Sequence, residues 1–250
     1  MENIKNKVVI ITGASEGNGK ATVKKLAHEG AKVVMFSRTE EKLSTLKNEL
    51  SDYVVDYKVG DVRNLSDVKD LVQYTLDKYD RIDVFYHNAG VLPMGALANS
   101  DAEKVSKWQQ AFDTNVMGVV NGLAACLPVM VKQKFGHMIA TDSVMGHLVI
   151  PNAAIYCSTK FAVRAIMEGV RQEHLEDNIK STIISPGLVS TGLLSSVDDK
   201  GMEAWIEGEL KDDTKALSPE SVADAVAYAI STPKNVVISE ILMRSSKHVL

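Results

Sequence analysis

Cysteine is scarce in this chain: Cys126 and Cys157 are the only two among 250 residues. Two thiols make neither a disulfide framework nor a metal-type Cys/His spacing, so no metal centre is expected and a reducing, cytoplasmic setting is favoured. Basic residues are in no excess, since 28 Lys plus Arg face 32 Asp plus Glu for a net charge of −4. The chain therefore lacks the positive field that grips a nucleic-acid backbone, and a small-molecule partner is expected instead. The first apolar run, residues 8–11, is far too short for a signal-peptide core or a membrane span. Internal repeats, low-complexity stretches and linkers are also missing. What is present is 45% hydrophobic and 24% charged residues, enough to enclose one α/β core in a single domain covering residues 1–250. A two-domain division is possible but not required.

Short β-branched runs at 8–11, 32–36, 54–59, 82–86, 137–141, 182–184 and 236–242 alternate with helical patterns at 19–29, 40–50, 66–79, 102–130 and 153–177. Such alternation predicts a parallel sheet, and strands this continuously apolar predict helices on both of its faces. The expected fold is a doubly wound Rossmann arrangement, with ligands beyond the carboxyl ends of the strands. Pro128 is expected to end or kink the fourth helix. Residues 188–217, long and acid-rich after a strand, are the candidate substrate lid.

The first strand runs into Thr12-Gly13-Ala14-Ser15-Glu16-Gly17-Asn18-Gly19 and then into a helix. Glycines let backbone approach a pyrophosphate, and the free N–H groups and dipole of the helix start favour its charge. The turn resembles the T-G-x-x-x-G-x-G turn of the short-chain dehydrogenase/reductase family, with Asn18 where that family usually carries an apolar residue. Gly13, Ser15, Gly17, Asn18 and Gly19 are thus candidate cofactor contacts. The second strand ends at Ser37-Arg38 without a carboxylate. An acidic residue there would hold the ribose hydroxyl of NAD, whereas arginine suits the 2′-phosphate of NADP, so NADP is favoured over NAD. Glu16 is the counter-signal, able to repel that phosphate or to pair with Arg38. By the same resemblance Asp61-Val62 matches the family's adenine-holding pair. Asn88-Ala89-Gly90 matches its N-N-A-G motif, with His87 in place of the first Asn and read as a packed histidine.

Tyr156 and Lys160 open the helix at 153–177, four residues apart and so on one face. A free phenol titrates near about 10, and a neighbouring ammonium is expected to lower that value, making Tyr156 an acid in reduction and a base in oxidation. Ser143, after the strand 137–141, is placed to polarise a substrate oxygen. Asn115 lies inside the long fourth helix. Asn, Ser, Tyr and Lys in this order resemble the family's catalytic set. The resemblance implies that Tyr156 transfers the proton, Ser143 orients the carbonyl, Lys160 also binds the nicotinamide ribose, and Asn115 supports a relay water. Asp142, where many relatives have Ser, is read as standing outside that set, and Cys157 as a packed thiol. Ser185-Pro186-Gly187-Leu188-Val189-Ser190-Thr191 resembles the loop that covers the nicotinamide, which adds Pro186, Gly187, Val189 and Thr191 to the cofactor contacts.

The resemblance covers almost the whole chain, and residues 240–244 are similar to NADP-dependent hydroxy-acid or serine dehydrogenases. Met94, Met145, Leu188, Leu193, Leu194, Met202 and Trp205 are read as an apolar substrate wall, and Asp198, Asp199, Glu203, Glu207 and Glu209 as an acidic lid surface or simply a solvated face. The expected activity is hydride transfer between NADP(H) and a neutral ketone, aldehyde or secondary alcohol, in a carbonyl reductase or alcohol dehydrogenase. Alternatives left open are a catalytically silent nucleotide-binding regulator and a same-fold epimerase or dehydratase. A homo-oligomer, dimer or tetramer, is implied, with no nucleic-acid or membrane partner.

Overall fold

The computed structural model describes residues 4–247 except Asp198 and Asp213. Seven parallel strands form one sheet in the order β3-β2-β1-β4-β5-β6-β7. They are β1 (Val8–Thr12), β2 (Lys32–Ser37), β3 (Val55–Val59), β4 (Val84–His87), β5 (Gly136–Thr141), β6 (Ile179–Pro186) and β7 (Glu240–Met243). The order reverses at β1, whose neighbours are β2 and β4. That reversal opens a crevice at the strands' carboxyl ends, where the glycine turn lies.

Alternation along β1 shows why both faces must be covered. Val9 and Ile11 pack with α1 (Gly17–His28), α2 (Glu40–Glu49) and α8 (Pro219–Ile230) through Leu26, Leu46 and Val226. Ile10 points the other way, into a layer built by α3 (Leu65–Tyr79), α5 (Gly118–Gln133) and α6 (Ala154–Glu173) through Leu71, Cys126 and Met167. With side chains alternating at period two, each inner residue has a core to enter.

Some boundaries differ from the sequence expectation. Pro128 does not end its helix, for α5 continues to Gln133. The carbonyl that loses its partner belongs to Ala124, an exposed residue that water can serve. The irregularity falls earlier: α4 (Ala102–Phe112) widens into a π-helical turn, Asp113–Met117, before α5 begins. The whole run Ala102–Gln133 is long and apolar enough to cross a membrane by length and composition. Its stripe Leu123, Cys126 and Met130 is buried in the core, so it is a core helix.

β6 extends beyond the predicted 182–184, and β7 starts later than predicted. Val236 and Val237 stay in an exposed loop, and pairing begins where Glu240 meets Ile183. α8 was absent from the sequence expectation, although Ser218 caps it by accepting from Ser221 N and Pro219 occupies its first turn. Residues 188–217 are not a long irregular loop. They hold a 3₁₀ turn, Gly192–Ser196, and a helix, α7 (Lys200–Leu210). Asp198 and the Leu194 side chain lie outside the described residues.

Candidate active site

The glycine turn adopts a backbone that only glycine accepts easily. Gly13 and Gly17 have φ of +62° and +52°, and a Cβ on Gly19 would fall 2.2 Å from the Gly13 carbonyl oxygen. Asn88 at the end of β4 ties the turn down: its Nδ2 donates to the carbonyls of Thr12 and Gly13, both at 3.2 Å. Thr12 Oγ1 in turn accepts from the backbone N–H of Asn88 and Ala89. The result is an open groove lined by Gly13, Ser15, Gly17 and Asn18 from the turn, Asp61 and Val62 after β3, and Asn88, Ala89 and Gly90 after β4. Asn18 Oδ1 is buried without a protein partner. A groove of bare backbone with an orphaned amide oxygen fits a dinucleotide phosphate and ribose in size and chemistry.

At one end of the groove stand Ser37, Arg38, Thr39 and Lys42. Glu16 binds Lys42 at 2.7 Å, not Arg38 as one sequence expectation had it. Lys42 was missed by the sequence reading, although it follows Arg38 by one helical turn. Asp61 is held by the Arg63 guanidinium, with Nε at 2.9 Å and NH2 at 2.6 Å from Oδ2. Burial pushes the Asp61 carboxyl up, but its bonds to Arg63 outweigh that and keep it below the usual carboxylate range.

At the other end the groove reaches Tyr156 and Lys160 on α6 and Thr191 after β6. Lys160 Nζ donates to the carbonyl of Thr141 at 2.8 Å and lies 5.6 Å from the centre of the Tyr156 ring. Tyr156 is 6% exposed. Burial drives its phenol well above its ordinary value, the Ser143 hydrogen bond pulls it down, and the Asp142 charge pushes it up. Desolvation outweighs the Ser143 bond, so the phenol lies above its ordinary value where the sequence leads one to expect a lowered one. Burial also lowers Lys160, against the opposing pull of Asp142. Asp142, read from sequence as outside the set, is thus electrically part of it.

Asn115 lines neither cavity. Within the π-helical turn its Oδ1 accepts from Val91 N at 2.8 Å, and its Nδ2 donates to Val91 O at 2.9 Å and to Thr159 Oγ1 at 3.1 Å. It therefore fastens the segment after Gly90 to the helix of Tyr156. π-turns are frequent at functional positions because the extra residue redirects one side chain. His87 is buried beside Phe85, with ring centres 4.4 Å apart, as expected of a packed histidine. Cys157 is a buried free thiol whose burial raises it.

Tyr156 also faces a second cavity, bounded by Ser143 and Met145 after β5, by Pro186 at the end of β6 and by Gly187 and Val189 after it. Gly187 N donates to the Met243 carbonyl at 2.8 Å, anchoring that loop to the end of β7. Met94, Leu188, Leu193 and Trp205 join Met145 on its walls, while Met202 packs behind them with Ile206 and Val197. Of the lid acids, Asp199, Glu203, Glu207 and Glu209 do not line it. Asp199 caps α7 by accepting from Gly201 N and Met202 N, and Glu209 pairs with Lys215 at 3.0 Å.

Residues 7–201 match the short chain dehydrogenase family. An uncharacterised oxidoreductase of Staphylococcus saprophyticus is 41% identical over 252 residues, covering 100% of both chains. One of Listeria monocytogenes is 40% identical over 243 residues, 95% of each. Among solved structures, serine dehydrogenase complexed with NADP+ superposes with a TM-score of 0.86 at 30% identity, covering 94% of each chain. A Burkholderia phymatum short-chain dehydrogenase/reductase in complex with NAD gives 0.85 at 26%, covering 97% of this chain and 90% of that one.

Proposed function

The chain belongs to the short-chain dehydrogenase family, and on that premise we propose that it moves a hydride between NADP(H) and a neutral ketone, aldehyde or secondary alcohol. The observation that carries the reading is the place of Tyr156: a buried, neutral phenol that borders both the dinucleotide groove and the apolar cavity. When bound, the nicotinamide supplies or accepts the hydride; the protein's own groups handle the proton. Ser143 holds the substrate oxygen and Tyr156 delivers its proton to that oxygen in reduction, or removes it in oxidation. Lys160 holds the nicotinamide ribose and its charge favours the phenolate left behind. Asn115 keeps the loop after Gly90 in register and supports a relay water. Residues 188–217 act as the substrate lid of a single domain.

Gly13, Ser15, Gly17, Asn18 and Gly19 form the phosphate cradle; Asp61, Val62, Asn88, Ala89 and Gly90 take the adenosine side; and Pro186, Gly187, Val189 and Thr191 cover the nicotinamide. NADP is the preferred form because Arg38 and Lys42 both border the groove's far end, and Glu16, the acid that would repel a phosphate, is engaged by Lys42. Among the described lining residues of the second cavity there is no Lys or Arg, and most are apolar. A carboxylate substrate would have no cationic partner on those walls, which favours a neutral carbonyl. Exposed Val105, Met117 and Phe161 on the helices fit an oligomer contact, and two buried unpaired cysteines fit a cytoplasmic setting.

The test is NADPH consumption with a panel of ketones and aldehydes by the wild type and Tyr156→Phe. Loss of about 100-fold or more is expected from removing the general acid. Equal turnover by the two proteins removes Tyr156 from the reaction.

A further inference from the structure

The segment 188–217 is closed at its neck, where Leu217 N donates to the Leu188 carbonyl at 2.8 Å and Ser190 N to the Leu217 carbonyl at 3.0 Å. Between those ends Ser196 Oγ accepts from Leu92 N at 2.8 Å and donates to the Leu193 carbonyl at 2.7 Å. The segment is thereby joined to the chain that follows β4. Asn152 Nδ2 reaches Met202 Sδ at 3.9 Å, and Ile206, 3% exposed, sinks one side of α7 into a cluster with Met94, Ala153 and Cys157. These contacts set where α7 stands over the second cavity.

Next to Ile206 on α7 is Trp205, which lines that cavity and is 45% exposed. An indole left half in water at the edge of an apolar cavity has a face that a ligand can cover. Two methionines, Met94 and Met145, stand on the walls with it. An indole stacks on an aromatic ring, and a thioether sulfur makes a favourable contact with one; an aliphatic group of the same area gains neither. Leu92, Val144, Leu188 and Leu193 complete the apolar lining and do not distinguish the two kinds of group. Three of the cavity's side chains therefore favour an aromatic occupant over an aliphatic one.

We infer that Trp205 is a specificity-determining residue and that the substrate is an aryl ketone or the matching benzylic alcohol: its ring lies against Trp205, Met94 and Met145 while its oxygen meets Ser143 and Tyr156. The inference rests on the reading of the chain as a carbonyl reductase or alcohol dehydrogenase, and it narrows the substrate class of that site. In an aryl ketone the ring is bonded directly to the carbonyl carbon and shares its plane. Seating the ring therefore also sets the plane of the carbonyl that receives the hydride.

The chain has two tryptophans. The other, Trp108, lies on α4, is 9% exposed and lines neither the groove nor the second cavity. Its Nε1 has no hydrogen-bond partner among the described residues, so Trp108→Phe breaks no bond there. In that variant Trp205 is the single indole, and its emission reports what touches it.

The experiment compares kcat/KM for acetophenone and for cyclohexyl methyl ketone, with NADPH, in the wild type, Trp205→Leu and Trp205→Phe. The two ketones differ in the aromaticity of the ring, and taking their ratio in each protein cancels their intrinsic reactivities between proteins. The ratio should fall by about 2- to 10-fold in Trp205→Leu and be held in Trp205→Phe, which keeps an aromatic ring. A ratio unchanged in Trp205→Leu, or lowered equally in both variants, overturns the inference. Binding is read without turnover by calorimetric titration of the NADPH-loaded proteins with 1-phenylethanol and 1-cyclohexylethanol, and by Trp205 emission in NADPH-loaded Trp108→Phe. If the wild type reduces no ketone, the reading of function fails and the alcohols still decide this point. A preference for the phenyl alcohol that falls in Trp205→Leu, with a change in Trp205 emission, supports the inference; the same ratio in both proteins, or no binding, refutes it.

Discussion

Lowering the pH from 6 to 5 is expected to weaken the fold, and three buried groups set the slope. Burial lowers His87 and His137 from 6.5 to about 3. Below 6.5 the unfolded chain therefore takes up two protons that the folded protein refuses, and stability falls as pH falls. Asp142 works in the opposite sense: its folded value of about 6 lies above the ordinary 3.8. Between those values the folded state binds a proton that the unfolded state does not, and stability rises as pH falls. The unfolded chain gains two protons and the folded protein one, for a net loss of about 1.4 kcal/mol per pH unit.

Single substitutions separate the contributions. His87 Nε2 has no partner, and the ring packs between Phe85 and Gly122, so leucine of similar volume fits the site. His87→Leu should flatten the slope between pH 6 and 5 to nearly zero, whereas Asp142→Asn should roughly double it, to about 2.7 kcal/mol per pH unit. Urea unfolding at quarter-unit steps measures these slopes. An unchanged slope in His87→Leu would mean that His87 is not held neutral by burial, and would refute the argument.

Other outcomes follow from the groove and its supports. Arg38→Ala should weaken NADPH binding by about 10- to 100-fold while leaving NADH within a few-fold, since a charge-assisted bond to a phosphate contributes about 1.5–3 kcal/mol; paired fluorescence titrations read the ratio, and a retained preference removes Arg38 from that role. Asn115→Ala leaves the backbone of Val91 without its two bonds and should cost about 1–3 kcal/mol in thermal or urea unfolding. An Asn115→Ala protein as stable as wild type would show that the loop is fixed by other contacts.

The parts of this site legible in the sequence were those written in short range. The strand, glycine turn and helix start are contiguous, and Tyr156 and Lys160 are one helical turn apart, so local geometry alone brings them together. Ser143 was legible because the strand before it ends at a known place in the alternation. The Glu16–Lys42 pair was not, since it joins the glycine turn to α2 and depends on how far apart β1 and β2 place them. The Asp142–Arg164–Glu240 cluster draws on β5, α6 and β7, elements that meet only in the folded sheet. Pro128 misled as a local signal because the buried stripe Leu123, Cys126 and Met130 carries the helix past it, and no local signal marked the π-turn. α8 was the exception, for its cap of Ser218, Pro219 and Glu220 stands plainly in the chain.

The central claim is direct transfer of hydride at a site where Tyr156 manages the proton. It is tested most directly by supplying NADPH deuterated at the transferred position of its nicotinamide, together with a ketone that the wild type turns over, and locating the label in the alcohol by mass spectrometry. The account predicts one deuterium on the carbinol carbon, retained in ordinary water, and almost no product from Tyr156→Phe. Alcohol formed without the label, or labelled alcohol formed equally well by Tyr156→Phe, would contradict it.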